Sequence, residues 1–133
     1  MDVYAKSFIQ TIKNTTSLTP HITHTAIHTG YCSKISTQET HFYFCFDHAF
    51  LLSISSAMLF DDNPTKDDLY DLSKEIANLV IGHAKVLLAE QGVHIQINTP
   101  SFLGEITLSN PDLKGIHFAI EEGKCSMYKE SVC

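Results

Sequence analysis

The chain has no tryptophan, and its four cysteines, four prolines and six glycines are scattered singly through 133 residues. Each shortage removes a class of function. Without tryptophan, and without an aromatic set flanking an acid pair, a carbohydrate-cleaving cleft is a poor fit. The glycines form neither a phosphate-cradling loop nor a Gly-x-Ser-x-Gly elbow, and no metal-binding motif is present. Cys32, Cys45, Cys125 and Cys133 show no CxxC spacing and fall in strand-like or terminal contexts, which predicts free thiols in a reducing compartment. Nine basic residues against fifteen acids give a net charge of -6 with no basic block, so nucleic acid is not an expected partner. No apolar run approaches membrane-spanning length, and Met1 to Lys6 lack a basic segment followed by an apolar one. The expected setting is the cytoplasm, with no membrane contact. No low-complexity stretch or linker divides the chain, and 44% hydrophobic content is enough for one core, so a single domain over residues 1–133 is expected.

What is present reads as helices beside runs of strands. Phe8, Ile9 and Ile12 mark an N-terminal helix over residues 3–15, broken at Leu18-Thr19-Pro20. Residues 21–37 and 40–46, rich in Thr, Ile, Tyr and Phe, predict a hairpin turning at Ser36-Thr37-Gln38-Glu39. Asp47 can cap a second helix running to Phe60, with Phe50, Leu51, Ile54, Met58 and Leu59 at helical spacing. After Asn63-Pro64, Thr65 and Asp68 form a possible capping box for a long helix over residues 67–91, closed by Gly92. Four short strands are then expected at 93–98, 104–108, 115–120 and 124–128, punctuated by Pro100, Asn110-Pro111 and Glu122-Gly123. Strands in runs, rather than alternating singly with helices, predict an α+β layer, with the second half repeating the coarse helix-then-strands order of the first.

Eight histidines raise the question of a metal, above all His21, His24 and His28. In a strand, His24 and His28 would face one side and His21 the other, which does not gather three ligands.

The long helix carries the site. Leu69, Leu72, Ile76, Leu79, Val80, Ile81, Val86, Leu87 and Leu88, with Ala77 and Ala84, occupy most of its circumference and predict a largely buried element. Its polar side chains are confined to one stripe of roughly 100°: Asp71, Lys74, Glu75, Asn78 and Lys85, with Gly82 among them. Asp71, Glu75 and Asn78 fall at i, i+4 and i+7, so two acids and an amide line one face. Such a pattern also arises on ordinary solvated helices, where it does no chemistry. Glycine inside a helix costs about 1 kcal/mol relative to alanine, so Gly82 on this stripe suggests a surface that something approaches closely.

The ordered set Asp71-x3-Glu75-x2-Asn78, followed after 21 residues by Pro100, resembles the active-site signature of the CheC/CheX/FliY phosphatases of bacterial chemotaxis. Asn78 to Lys85 is similar to that family's Asn-hydrophobic-hydrophobic-x-Gly-Asn-Ala-Lys stretch, and Pro100-Ser101-Phe102-Leu103-Gly104 to its Pro-x-hydrophobic-hydrophobic-Gly segment. The strand 42–46 and the following helix, ending Ala57-Met58-Leu59, extend the likeness over roughly residues 40 to 105. His83 stands where the family has asparagine, and its projected direction is toward Leu79 and Val86, as a core substitution. Leu51 and Ile54 occupy the places of a second Glu-x-x-Asn in the first half, so the chain resembles the single-site CheX type more than CheC.

The resemblance implies a CheC-like two-layer fold: an antiparallel sheet packed with long helices, in two pseudo-repeated halves. It implies hydrolysis of the aspartyl phosphate of a CheY-type response regulator, and a homodimer. Asn78 would orient the attacking water, and Glu75 would pair with the regulator's lysine. Asp71, Pro100, Gly82 and Lys85 would support that surface. Mg²⁺ would be carried by the regulator, leaving this chain without a cofactor of its own. The competing expectation is a non-catalytic binding or scaffold module of the chemotaxis and flagellar switch system, with the same fold.

Overall fold

The computed structural model describes residues 2–109 and 113–132. Helix α1 spans Val3–Thr16, opened by Asp2, whose carboxylate accepts from the backbone N–H of Tyr4 and Ala5. Strands β1 (His21–Thr23), β2 (Thr29–Ser36) and β3 (Thr40–Phe46) follow, then α2 (His48–Leu59) and α3 (Lys66–Glu90). Strands β4 (Ser101–Thr107), β5 (Lys114–Ile120) and β6 (Gly123–Ser131) complete one six-stranded sheet. The fold is α+β, as expected: every adjacent pair is antiparallel, in the order β1-β5-β6-β3-β2-β4.

The helices cover one face of the sheet. Phe42, Phe44 and Phe46 alternate onto that face and are fully buried. Phe8 of α1 stacks on Phe118 of β5 with ring centroids 4.0 Å apart, and Phe46 meets Phe50 of α2. Helices α1 and α3 run side by side in the same direction, because Ser7 donates to the Val80 carbonyl and, three residues on, Gln10 pairs with His83. His83 is therefore not an apolar core substitution. Its ring nitrogen has a side-chain amide partner 2.7 Å away across the helix pair.

Two expected strands differ: one is interrupted at residues 24–28, and one, 93–98, does not form. The run 21–37 divides into β1 and β2, which lie four places apart in the sheet. Strands are spaced about 4.8 Å, so residues 24–28 must span about 19 Å. Their six Cα steps reach about 20 Å when extended. The segment is stretched without a ladder, crossing the face opposite the helices. There the Ile27 N–H donates to the Ser126 hydroxyl, and the Tyr128 hydroxyl donates to the Ile27 carbonyl. His24 and His28 thus lie on this crossing, apart from the strand that holds His21. Among the described residues no three His, Cys, Asp or Glu side chains group to hold a metal ion.

The second case is 93–98. Burial alternates along it, but only Ile97 makes a β-bridge, to Thr37 in the β2–β3 turn. A turn offers one or two free backbone groups, too few for a ladder. Strand β4 begins earlier than expected, at Ser101, and passes Gly104 through a bulge opposite Cys32 and Ser33, where Gly104 has φ +121°. The expected Asn110-Pro111 turn lies outside the described residues.

The strand order is unchanged when β1–β3 are exchanged with β4–β6 and read from the other edge. The helices do not follow that exchange, since one precedes β1 and two precede β4. By strand order the counterpart of α3 is α1, not α2, and α1 carries no glutamate.

Cys32, Cys45 and Cys125 are free and buried, and Cys133 lies outside the described residues. The Cys45 thiol donates to Cys32 and is pushed up, first by that bond and then by burial; burial likewise raises Cys125. Such thiols stay protonated and unreactive. No helix among the described residues is long and apolar enough to cross a membrane.

Candidate functional site

The start of α3 is set by the expected capping box. Thr65 accepts from the Asp68 N–H at 3.1 Å, and the Asp68 carboxylate accepts from the Thr65 N–H at 2.9 Å. Its end is a Schellman closure, with Gly92 at φ +79° and the Val93 N–H donating to the Leu88 carbonyl. Between them, Leu69, Leu72, Ser73, Ile76, Ala77, Val80, Ile81 and Ala84 form the buried face. The helix is less enclosed than its composition suggested: Val86 is 54% exposed, and Leu79, Leu87 and Leu88 are only part-buried. Val86 lies eleven residues after Glu75, about 20° away around the axis at 3.6 residues per turn. It therefore extends the exposed stripe.

Asp71, Glu75 and Asn78 all face solvent on that stripe. Together with Lys74, Thr99 and Pro100 they line a depression of about 310 Å³. Lys74 pairs with Asp71 at 3.5 Å. Among the described residues, the side chains of Glu75 and Asn78 have no hydrogen-bonding or ionic partner. The structure thus brings Asp71, Glu75, Asn78 and Pro100 together. Lys85 is exposed beyond the depression, and Gly82 lies one turn past Asn78, outside its lining. A Cβ built on Gly82 meets nothing within 4 Å, so no neighbour in this chain requires glycine there.

Pro100 reaches the helix because the preceding chain is tied to the end of β2. Asn98 does this twice: its N–H donates to the Ser36 carbonyl at 3.0 Å, and its side-chain oxygen accepts from the Ser36 N–H at 2.9 Å. Gln38 adds a second tie by accepting from the Gln96 N–H. Strand β4 is then latched to the first turns of α3. Tyr70 stacks on Phe102 at 4.4 Å, and Glu105 accepts from the Tyr70 hydroxyl and from Lys66. Those two donors, Tyr70 first, hold the Glu105 carboxyl below its ordinary range. Lys74 was placed on the polar stripe without a role, and Asn98 and Thr99 were not singled out from sequence. The one available signal was an amide two residues before the site proline, in a turn-like context.

A second depression, about 300 Å³, adjoins the first and shares Asp71 and Glu75 with it; Met58, Leu59 and Leu72 supply its apolar wall. A larger one, about 390 Å³, lies against α2 and holds none of the expected site residues. Its Ser53 and Ser56 hydroxyls already donate to Glu121 and Asp62. The smaller site is the better candidate because its Glu75 and Asn78 side chains are uncommitted among the described residues.

The chemistry open to this arrangement is narrow. An exposed amide can accept from and donate to one water without adding charge, and a carboxylate one turn away can hold a cation. Those are positioning roles.

A family model described as chemotaxis phosphatase CheX matches residues 35–118, more than half of the chain, and the protein belongs to that family. None of the curated proteins matches the sequence. Among solved structures, the fold is similar to the chemotaxis protein CheX of Vibrio vulnificus, with TM-score 0.82 and 21% identity over 95% of this chain and 91% of that one. It is similar to CheX in the CheX–CheY–BeF3–Mg²⁺ complex of Borrelia burgdorferi, with TM-score 0.72 and 11% identity over 97% and 95% of the two chains. The middle domain of FliM from H. pylori shares the fold more distantly, at TM-score 0.61 and 10% identity over 96% and 84%.

Proposed function

We propose that this protein hydrolyses the aspartyl phosphate of a CheY-type response regulator. The single observation that carries the reading is the pair Glu75 and Asn78, exposed one turn apart on α3 beside Pro100, with no partner among the described residues. Family membership and a CheX neighbour in complex with CheY support it.

Water attacks phosphorus in line with the aspartyl oxygen; the P–O bond to the regulator breaks, its carboxylate is released, and the water's proton passes to the departing phosphate. Little covalent work falls to the phosphatase, so positioning dominates. Asn78 orients the water through both functions of its amide, avoiding the repulsion a carboxylate would meet beside a phosphoryl group. Glu75 pairs with the lysine of the regulator's site and fixes the docking register. Asp71 and Pro100 shape the rim, Gly82 leaves room for the partner, and Lys85 lies farther along the same face. Mg²⁺ belongs to the regulator, and no phospho-enzyme forms. The protein acts in the cytoplasm as a homodimer.

The deciding experiment follows phosphate loss from a Mg²⁺-loaded phospho-CheY of the same cell. Wild-type protein accelerates decay, and a folded Asn78→Ala variant loses at least about 100-fold of that acceleration. The FliM likeness favours one other reading, a binding module without catalysis. Binding of the regulator with no acceleration by wild type would select it.

A further inference from the structure

Helix α2 ends on a residue that does not suit its place. Phe60 caps the helix at φ 55°, ψ 31°, the left-handed region that favours glycine. Its ring is also 91% exposed, so packing within this chain does not repay the strain. The turn is nonetheless tightly held. The Phe60 and Asp61 N–H groups both donate to the Ser55 carbonyl, and the fully buried Ser55 hydroxyl donates to the Asp61 carbonyl at 2.9 Å. The backbone that carries this exposed aromatic side chain is thus held in place, with Leu59, 51% exposed, beside it.

Leu59 and Asp61, on either side of Phe60, line the depression that shares Asp71 and Glu75 with the candidate site and has Met58, Leu59 and Leu72 as its apolar wall. Its rim is acidic, with Asp61 and Asp68 joining that pair. A second copy of this chain would set these carboxylates against their own kind, which is unfavourable. A partner presenting an apolar side chain next to a lysine or arginine matches both features.

We infer that Phe60 and the groove beside it are the anchor by which this protein docks the response regulator, engaging an apolar side chain flanked by a cation next to the regulator's phosphorylation site. The inference takes the partner's identity from the phosphatase reading above. Aromatic anchors in such positions commonly dominate affinity, while acids around them steer encounter and make binding sensitive to salt.

The test is titration of the CheY-type regulator of the same cell, loaded with Mg²⁺ and beryllofluoride, with wild-type protein and with Phe60→Gly. Glycine removes the ring and suits the left-handed cap, so the variant should melt no lower than wild type. The expected result is a Kd at least tenfold weaker for Phe60→Gly, and wild-type binding that weakens as salt rises. Unchanged affinity while wild type still turns over phospho-regulator would overturn the docking surface and leave the phosphatase reading intact. Weakened binding by Phe60→Gly with no turnover by wild type would support the docking surface and remove the phosphatase reading. A fall in sedimenting mass of Phe60→Gly would assign the face to a second copy and overturn the inference, and so would a regulator that does not bind wild type at all.

Discussion

Replacing Gly82 by alanine sets stability against function at one methyl group. In the middle of α3 the exchange removes a helix penalty of about 1 kcal/mol, part of it through the lower entropy of the unfolded chain. No strain offsets that gain, because the added Cβ meets nothing within 4 Å. With an unfolding entropy of about 2.1 cal/mol/K per residue, a chain of 133 residues gains about 3–4 °C in Tm for each kcal/mol. Thermal unfolding followed by circular dichroism should show that rise. The same methyl would stand one turn beyond Asn78 on the face proposed to meet the regulator, so on that reading KM for phospho-regulator should increase severalfold. A Tm that stays level or falls would refute the reasoning about open space. A raised Tm with unchanged KM would refute the close approach of a partner at Gly82.

Other outcomes follow from the buried and titratable groups. Ser33 and Ser73 share a buried hydrogen bond between β2 and α3; Ser73→Ala should cost about 1–3 kcal/mol by leaving Ser33 unpaired, and the double alanine variant should recover part of it in urea unfolding. His117 is held below its ordinary range, by burial first and then by His28 and His24. The folded state therefore binds this proton less readily than the unfolded chain, so stability is full above about pH 6.5 and is lost as pH falls toward the depressed value. Tm measured from pH 7.5 to 5 should decline, and more shallowly for His117→Gln; parallel curves for the two proteins would refute the assignment.

The helices were legible in the sequence because each carries its own boundary chemistry. Asp47 and Thr65 cap α2 and α3, Gly92 closes the last of them, and Leu18-Thr19-Pro20 follows the end of α1, whose Asp2 cap only the structure revealed. The hairpin of β2 and β3 was legible for the same local reason, a polar turn between two apolar runs. Residues 24–28 and 93–98 were misread as strands. Residues 94–98 alternate polar and apolar, and 24–28 continue the Thr- and Ile-rich composition of β1, yet a strand needs a neighbour with free N–H and C=O groups, and neighbours are chosen by topology. The circumference of α3 was misjudged at Val86 because a nearly continuous apolar run hides a shift of about 20° over eleven residues. His83 was misread because its partner, Gln10, is 73 residues away.

The candidate site divides along the same line. Asp71, Glu75 and Asn78 could be placed on one face from sequence alone, since helical periodicity is a property of neighbouring residues. That Pro100 stands against that face depends on Asn98 holding the chain to Ser36, a contact 62 residues long. That Phe60 projects beside it depends on a left-handed cap, which the local sequence Leu59-Phe60-Asp61 does not announce. Short-range order is encoded by short-range sequence. The meeting of α3 with the 99–100 segment is decided by the packed sheet, because the tie of Asn98 to Ser36 at the end of β2 is what brings that segment within reach.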